Sequence, residues 1–211
     1  MSLDVDSQSS DERISQLNEL LSAHRDRLER MVRLRMDRRL QGRVDASDII
    51  QEAFVEAALR YAEYESKPEV PPFIWLRYLT GQKMIQVHRR HLGVQSRDVA
   101  REVSLYRGPM PEATTQAIAA QLVGKHTSPT QAIARAELQI RVQNALNAMG
   151  QLDREVLALR HFEQLSNAEA ALLLDIAEDT CYKRYVRALR RLKSVLGDGP
   201  SGVGHGLVFD E

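Results

Sequence analysis

The sequence predicts an all-α protein with two small helical domains joined by a flexible linker, the C-terminal domain being a helix-turn-helix. Three observations support this fold class. Aromatic residues make up only 5% of the 211 residues, whereas the helix-forming residues Ala, Leu, Arg and Glu are abundant. Apolar residues recur at helical spacing in several long segments. Prolines and glycines collect between two groups of these segments, where they predict a domain boundary.

Composition and the positions of proline and glycine divide the chain into five segments. Residues 1–10 are polar and predicted to be disordered, and residues 11–98 form the predicted first domain. Residues 99–129 form the linker and residues 130–196 the second domain. Residues 197–211 form a glycine-rich tail, which is not expected to become ordered without a partner because glycine loses much conformational freedom on ordering.

The first domain is predicted to contain three helices. The first is long and amphipathic and ends before Gly42. Asp45 is placed to cap the second helix, with Asp48 three residues later as a weaker form of the capping box. Pro72 suits the first position of the third helix, because its missing N–H is not needed there, and that helix runs to about His91. Together the three helices can close one core.

The second group of helical segments begins with a short helix predicted within the linker, near residues 114–122. The second domain itself starts near Thr130 with one helix, and residues 153–162 form the next. Ser166 and Glu169 have the Ser-x-x-Glu spacing of a capping box. This spacing predicts the start of the first helix of a helix-turn-helix.

The last predicted helix carries the clearest functional signal in the chain. Apolar and small residues at helical spacing form its inward stripe: Cys181, Tyr185, Ala188, Leu189, Leu192 and Leu196. Most of its cations lie outside that stripe: Lys183, Arg184, Arg187, Arg190, Arg191 and Lys193. No acidic residue occurs between Thr180 and Leu196, so the helix suits a polyanion such as DNA, entered through the major groove. A solvated helix face, or a surface for a partner helix, is the alternative.

Composition also limits the class of protein. Lys plus Arg equals Asp plus Glu at 29 each, so the net charge identifies no partner. No segment approaches the roughly 20 apolar residues that cross a bilayer, and the polar, acidic N-terminus is unlike a secretory signal. We therefore expect a cytoplasmic protein without membrane insertion. The single cysteine, Cys181, excludes an internal disulfide and is expected to be a small buried hydrophobe.

An enzyme is the least favoured alternative. The candidate metal ligands are Asp45, Asp48, Glu52, Glu56, His88 and His91. They form no Glu-x-x-His pair of the di-metal type, and the sequence has no Cys-x-x-Cys, glycine-rich phosphate loop or nucleophile elbow. We therefore expect no catalytic residue, no metal and no cofactor. A helical adaptor that only joins proteins would leave the one-sided basic helix without a use.

Four motifs, in order along the chain, resemble those of bacterial RNA polymerase sigma factors of the sigma-70 family. They are residues 45–54 (DASDIIQEAF), 73–77 (FIWLR), 152–160 (LDREVLALR), and 165–171 (LSNAEAA) with 187–189 (RAL). The resemblance is closest to the small extracytoplasmic-function (ECF) group. It covers about residues 23–196, so only the two tails lie outside it.

This resemblance implies a sigma factor, which binds core RNA polymerase, directs it to specific promoters and promotes DNA opening for transcription initiation. Residues 11–98 would correspond to sigma region 2, which binds the core enzyme and recognises and melts the minus-ten element. Residues 130–196 would correspond to sigma region 4, which recognises the minus-thirty-five element. The implied partners are core RNA polymerase, promoter DNA and an anti-sigma protein. A helix-turn-helix transcriptional regulator that is not a polymerase subunit is the alternative.

The resemblance also implies contact residues in the first domain. On the second helix, the candidates for docking on the clamp helices of the polymerase largest subunit are Asp48, Gln51, Glu52 and Glu56. Exposed carboxylates suit a basic partner, although an ordinary solvated helix face has the same composition. On the third helix, the candidates for minus-ten recognition and melting are Arg77, Tyr78, Lys83, Arg89 and Arg90. Trp75 is expected in the core, and residues 91–97 correspond to the loop that captures a flipped base.

In the second domain the candidates for minus-thirty-five recognition are Thr180, Tyr182, Lys183, Arg184, Arg187, Arg190 and Arg191. Tyr182, Lys183 and Arg187 are expected to reach base edges, and the other three arginines are expected to hold phosphates. Two positions depart from the family pattern. Asp175 replaces a common turn glycine, which is tolerable because Asp can adopt the left-handed conformation, and Ala177 occupies a cap position that favours Ser or Thr.

Overall fold

The computed structural model describes residues 3–92, 110–124 and 129–197. Within these ranges the regular structure is helical, with one isolated bridge between Gln41 and Val44. The α-helices there are α1 (Leu3–Arg35), α2 (Ala46–Ser66), α3 (Pro72–Leu92), α4 (Thr115–Val123), α5 (Pro129–Asn147), α6 (Gln151–Leu157), α7 (Asn167–Leu174) and α8 (Glu178–Gly197). The chain divides into two compact units, Met1–Pro111 and Glu112–Glu211. These findings confirm the predicted all-α class with two helical domains.

In the first unit α1, α2 and α3 pack against one another around a common core. Large apolar side chains from all three helices are fully buried there: Leu28, Met31, Ile49, Ile50, Phe73, Ile74, Leu76 and Leu79. Burying a side chain of this size contributes roughly 1.5–3 kcal/mol to stability. The shared core therefore fixes the three helices and leaves one face of α2 directed outward.

The limits of α1 differ from the prediction at both ends. The helix begins at Leu3, inside residues 1–10, for which composition predicted disorder. No proline or glycine lies between Leu3 and Arg35, so the helix continues without interruption from its docked apolar stripe back to Leu3. At its other end, the chain turns into a short 3-10 helix, Arg38–Leu40, which Asp37 caps. The Asp37 carboxylate accepts the N–H of Arg39 at 2.9 Å. Side-chain and backbone hydrogen bonds from Arg39 lower the pKa of Asp37 to about 2.

The starts of α2 and α3 follow their local sequence signals. Asp45 is the N-cap of α2, and its carboxylate accepts the N–H of Ser47 at 3.0 Å. Pro72 is the first residue of α3. Between the two helices, the Tyr64 hydroxyl donates to the carbonyl oxygen of Val70 at 2.8 Å, which holds the connection against the end of α2. Both predicted helix starts are confirmed.

Two residues of the predicted linker belong to the first unit and pack against its helices. Met110 lies beside Gly81 in the middle of α3, and a Cβ atom at Gly81 would clash with the Met110 Cε atom. Glycine at this position therefore leaves the space that Met110 fills. The buried Arg35 donates from Nη1 to the carbonyl oxygen of Pro111 at 3.0 Å. The boundaries of the linker stay a prediction, because much of it lies outside the described residues.

In the second unit α4 and α8 pack against α5. α4 lies where the sequence predicted a short helix, and the Thr114 hydroxyl caps it by accepting the N–H of Ala117 at 3.1 Å. Val142 is buried on the packed side of α5. Ile133, an apolar residue of the same helix, is exposed, because it lies nine positions before Val142 and therefore half a helical turn away.

Beyond α6 the chain continues through one wide π-helical turn, Ala158–Phe162, so the helical segment ends where the sequence predicted. The N–H of Glu163 donates to the carbonyl oxygen of Ala158 at 3.0 Å, five residues back. The N–H of Leu165 then donates to the carbonyl oxygen of Leu159 at 3.0 Å. The backbone groups at the end of this segment are thus paired, and the chain leaves it directly at the cap of α7.

Candidate nucleic-acid interface

The helix-turn-helix consists of α7, a short turn and α8. The capping box predicted at the start of α7 is present: the Ser166 hydroxyl accepts the N–H of Glu169 at 3.1 Å, and the Glu169 carboxylate accepts the N–H of Ser166 at 2.7 Å. Asp175 ends α7 in the left-handed conformation with φ 56° and ψ 46°, as predicted for a residue in place of the turn glycine. Its N–H donates to the carbonyl oxygen of Ala171. The turn geometry is therefore kept without glycine.

The start of α8 is tied to α7 by backbone and side-chain contacts. Ala177 precedes the helix and offers no side-chain cap, but its carbonyl oxygen accepts the N–H of Cys181 at 2.9 Å and opens the helical pattern. Asn167 of α7 donates from Nδ2 to the carbonyl oxygen of Glu178 at 2.9 Å. This bond crosses the turn and fixes the angle at which α8 leaves α7.

The inward stripe of α8 agrees with the prediction, except that Leu189 is only partly covered and the side chain of Leu196 lies outside the described residues. Cys181, Ala188 and Leu192 are fully buried, and Tyr185 is half-buried. The Arg160 guanidinium carbon lies 5.2 Å from the centroid of the Tyr185 ring. Burial raises the pKa of the Cys181 thiol, so the thiol is predominantly protonated and packs as a small apolar group.

On the outward side of α8 the exposed residues are Tyr182, Lys183, Arg187, Arg190, Arg191 and Lys193. Thr180 is partly covered at the start of the helix. Lys183 Nζ lies 2.6 Å from Asp179 Oδ2, but both side chains are 72% exposed. Water and salt screen such a pair, so it is worth little and does not prevent Lys183 from exchanging to a phosphate. The outer face of α8 is therefore predominantly cationic, as the sequence predicted.

Two of the predicted minus-thirty-five contacts, Arg184 and Arg187, bind a carboxylate of the same unit. Arg187 donates to Asp153 Oδ2 from Nε at 3.1 Å and from Nη2 at 2.8 Å, and Arg184 Nη1 donates to Asp153 Oδ1 at 2.7 Å. Burial opposes the ionisation of Asp153, but the hydrogen bonds from Arg187 and Arg184 outweigh it and lower its pKa. Asp153 is therefore ionised at neutral pH and neutralises part of the charge of α8.

Sequence reasoning missed Asp153 as a site residue. It lies in the first turn of α6, where a carboxylate is already explained by the positive end of the helix dipole. Its partners lie 31 and 34 positions later in the chain. Nothing in the local pattern indicates that pairing, which only the packing of α8 on α6 creates.

The outward face of α2 carries most of the predicted polymerase-docking residues. Asp48, Gln51 and Glu52 are exposed. Glu56 is different, because its carboxylate lies 3.1 Å from Lys83 Nζ and 2.7 Å from Arg60 Nε. The hydrogen bond from Lys83 is the largest cause that lowers the pKa of Glu56. Glu56 thus contributes to holding α2 against α3 rather than offering an unpaired carboxylate.

Two apolar side chains on this face of α2 were not among the predicted contacts. Val55 is 64% exposed and Leu59 is 79% exposed, and they lie one helical turn apart beside Glu52. We call the face formed by Asp48, Gln51, Glu52, Val55 and Leu59 the α2 surface. The sequence did contain a signal for their exposure. At helical spacing, Val55 and Leu59 lie on a different side of α2 from the buried stripe that contains Ala53 and Ala57.

On α3 the structure separates the predicted minus-ten residues into two groups. Arg77 is only 6% exposed and lies among the core positions of α3, so its assignment as a phosphate contact is not supported. Lys83 is occupied by Glu56, as described above. Tyr78 is half-buried, and its hydroxyl accepts the side-chain N–H of Gln82. Arg89 and Arg90 are exposed in the last turn of α3.

The remaining predictions for this region concern Trp75 and the loop after α3. Trp75 is buried and stacks on Tyr64, with ring centroids 4.3 Å apart and an angle of 12° between the ring planes. This confirms its expected place in the core. Of the loop at residues 91–97, all but His91 and Leu92 lies outside the described residues.

His88, weighed above as a metal ligand, has a structural role. Its Nε2 atom accepts the backbone N–H of Asp37 at 3.3 Å, which requires the neutral imidazole. Burial is the main cause that lowers the pKa of His88; the charge of Asp37 opposes the shift and that of Arg39 adds to it. The bond connects α3 to the cap of the 3-10 helix.

The stability of the first unit should therefore fall as the pH decreases below about 6.5, the ordinary pKa of histidine. The unfolded chain binds the proton at a higher pH than the folded one, so the neutral form stabilises the fold above that pH and the stabilisation is lost as the pH falls towards the folded pKa. Urea unfolding followed by the fluorescence of Trp75, the only tryptophan in the chain, measures this unit alone.

The control is His88→Gln, which removes the titrating group. Between about pH 7.5 and about pH 5 its unfolding midpoint should depend less on pH than that of the wild type. If the unfolding midpoints of the two proteins changed equally with pH, His88 would not be the cause of the acid sensitivity.

Residues 139–192 match the family Sigma-70, region 4. The solved structure of CnrH in complex with the cytosolic domain of CnrY is 20% identical, covers 92% of this chain and 96% of its own, and has a TM-score of 0.48. The solved structure of the sigma factor RpoE in complex with the anti-sigma factor NepR, from Bartonella quintana, is also 20% identical. It covers 88% of this chain and 97% of its own, and has a TM-score of 0.44. No curated protein gives a significant match.

The matched family segment extends from α5 into α8 and so contains the whole helix-turn-helix. Among the helices of the described ranges, none combines the length and the apolar character that crossing a membrane requires. No group of three or more His, Cys, Asp or Glu side chains in the same ranges is arranged to hold a metal ion.

Proposed function

We propose that this chain, whose residues 139–192 match the family Sigma-70, region 4, is a sigma factor of the ECF group. It binds core RNA polymerase, directs it to specific promoters and promotes DNA opening for transcription initiation. The observation that carries this proposal is the agreement between the Sigma-70, region 4 match at residues 139–192 and the helix-turn-helix with its outward cationic face on α8.

The second unit supplies promoter recognition in this proposal. α7 supports the turn, and α8 enters the major groove of the minus-thirty-five element. Tyr182 and Lys183 extend from the exposed side near the start of α8, where residues of a recognition helix reach base edges. Arg190 and Arg191, further along, are placed to hold phosphates. Because these contacts release counterions from DNA, the affinity should weaken steeply with added salt.

The first unit supplies polymerase docking and strand opening. The α2 surface combines carboxylates with exposed apolar side chains, which suits a partner with basic rims around apolar anchor sites. Arg89 and Arg90, at the exposed end of α3, are the phosphate contacts that the structure leaves accessible for the minus-ten element. Tyr78, half-buried, is the candidate to stack on an unpaired base.

The proposal also sets where the chain works and what it does not do. Because core polymerase and promoter DNA are cytoplasmic in bacteria, we place the protein in the cytoplasm. We assign it no catalytic activity of its own, since its contribution is to position the polymerase on DNA. An anti-sigma protein is the regulatory partner that this function implies.

Transcription in a purified system tests the proposal. The full-length chain is mixed with bacterial core RNA polymerase and a library of templates with random upstream sequence, and the transcript ends are sequenced. We expect one-to-one association with the core enzyme and start sites that share two upstream elements at a constant spacing. A regulator that is not a polymerase subunit would bind duplex DNA without associating with the core enzyme, and that result would contradict the proposal.

A further inference from the structure

We propose that Asp153 is a positioning residue for promoter recognition. It clamps Arg187 and Arg184 to α6 and thereby determines which basic side chains of α8 are able to contact DNA. This inference rests on the proposed function, in which α8 is the recognition helix. It also changes the part played by Arg187, which the sequence assigned to a base edge.

The geometry of the contact is that of a clamp. Arg187 presents Nε and Nη2 side by side to the carboxylate, and Nη2 also lies 2.8 Å from Oδ1. Arg184 Nη1 also donates to Oδ1, at 2.7 Å. The Asp153 side chain is only 12% exposed. Such two-point contacts between a guanidinium and a carboxylate fix the orientation of the arginine as well as neutralising its charge.

Release of the two arginines from Asp153 would be unfavourable in free energy. If both arginines turned towards DNA, the ionised carboxylate of Asp153 would stay mostly buried without a compensating cation. To recognise guanine, Arg187 would need two adjacent donors of its fork, either Nε with Nη2 or Nη1 with Nη2, and Nη2, which belongs to both pairs, already donates to both oxygens of Asp153. Although the Arg187 side chain is 63% exposed, it is therefore restricted to a phosphate contact through Nη1. Base recognition then depends on Tyr182 and Lys183.

A second carboxylate of this region shows the opposite behaviour and supplies a matched control. Asp179 also pairs with a cation of α8, Lys183, but both side chains are 72% exposed. That pair is screened by solvent and opens without leaving a buried charge. Asp153→Asn and Asp179→Asn change the charge of the protein by the same amount. Only the first opens a clamp, so a difference between them cannot be an effect of net charge.

The test uses the full chain and two measurements with duplex DNA. Duplexes are selected from a random-sequence library and sequenced, and the affinity for unselected random duplex is measured over a series of salt concentrations. Asp153→Asn should bind random duplex about three- to tenfold more tightly at about 0.1 M salt, with a salt slope steeper by about 1 to 2, because one or two released arginines gain phosphates. Asp179→Asn should change both quantities much less. The ratio of the affinity for selected duplex to the affinity for random duplex should fall only in Asp153→Asn.

A third variant decides the part played by Arg187 even if Asp153→Asn folds poorly. Arg187→Ala should select the same DNA sequence as the wild type with uniformly lower affinity, because Arg187 does not contact a base edge. In the double variant Asp153→Asn/Arg187→Ala, the extra affinity for random duplex should largely disappear, and far-ultraviolet circular dichroism checks that each protein is folded.

Two results would overturn the clamp. One is the loss of sequence preference at a single base position in Arg187→Ala, which would show a direct base contact. The other is an equal response of Asp153→Asn and Asp179→Asn in a folded protein. If the wild-type chain bound no duplex DNA, alone or with core polymerase, the proposed function itself would fail, which is a separate outcome.

Discussion

Trp75→Ala should lower the free energy of unfolding of the first unit by about 3–5 kcal/mol, the usual cost of removing a large buried aromatic side chain. Trp75 is buried, stacks on Tyr64 at 4.3 Å between ring centroids, and lies 6.3 Å from the centroid of Tyr61. The variant leaves a cavity against both tyrosines. Urea unfolding followed by far-ultraviolet circular dichroism gives the measurement, because the substitution removes the fluorescent residue.

The matched control is Trp75→Phe, which keeps an aromatic ring against Tyr64 and should lose clearly less stability. Salt-dependent binding of duplex DNA by α8 should be unchanged in both variants, because that helix belongs to the second unit. A loss below about 1 kcal/mol in Trp75→Ala would contradict a core role and would make Trp75 a candidate for stacking on an unpaired base.

Leu59→Arg should reduce the affinity for core RNA polymerase by about 30-fold or more, as expected for a contact residue worth at least about 2 kcal/mol. Leu59 is the most exposed large apolar residue of the described chain and lies on the α2 surface beside exposed carboxylates. The substitution removes apolar area and introduces a cation that would repel a basic partner. Titration of labelled core enzyme with the full chain measures the effect.

Ile14→Arg provides the control for this substitution. Ile14 is an exposed apolar residue of the same unit on α1, outside the α2 surface, and the change in charge is identical. Polymerase affinity should be unchanged in Ile14→Arg, and duplex binding should be unchanged in both variants. Equal losses of polymerase affinity would show that net charge, rather than the α2 surface, determines docking.

Local signals in the sequence predicted the helix starts and the turn. Ser166 and Glu169 form their capping box, Pro72 opens α3, and Asp175 takes the left-handed conformation. These predictions succeed because each depends on residues within one helical turn of one another. The inward stripe of α8 was also predictable, since an amphipathic pattern states which side of a helix is covered.

The side-chain partners of charged residues were not predictable from the sequence. Helical periodicity did not show that Arg77 is covered in the first unit or that Lys83 lies beside Glu56. It likewise did not indicate that Asp153 holds Arg187. These arrangements depend on how separate helices pack. The sequence around a charged residue does not indicate whether its partner is water, another side chain or a ligand.

The only thiol of the chain is shielded from solvent, since Cys181 is fully buried and burial raises its pKa. Maleimide dyes, which require an accessible thiolate, should react slowly with the wild-type chain. A cysteine introduced at an exposed position, such as Ile14→Cys in the first unit or Tyr182→Cys in the second, would then take the label selectively. With Cys181 left in place, pairs of fluorophores could report the separation of the two units by energy transfer, in the free chain and after polymerase is added.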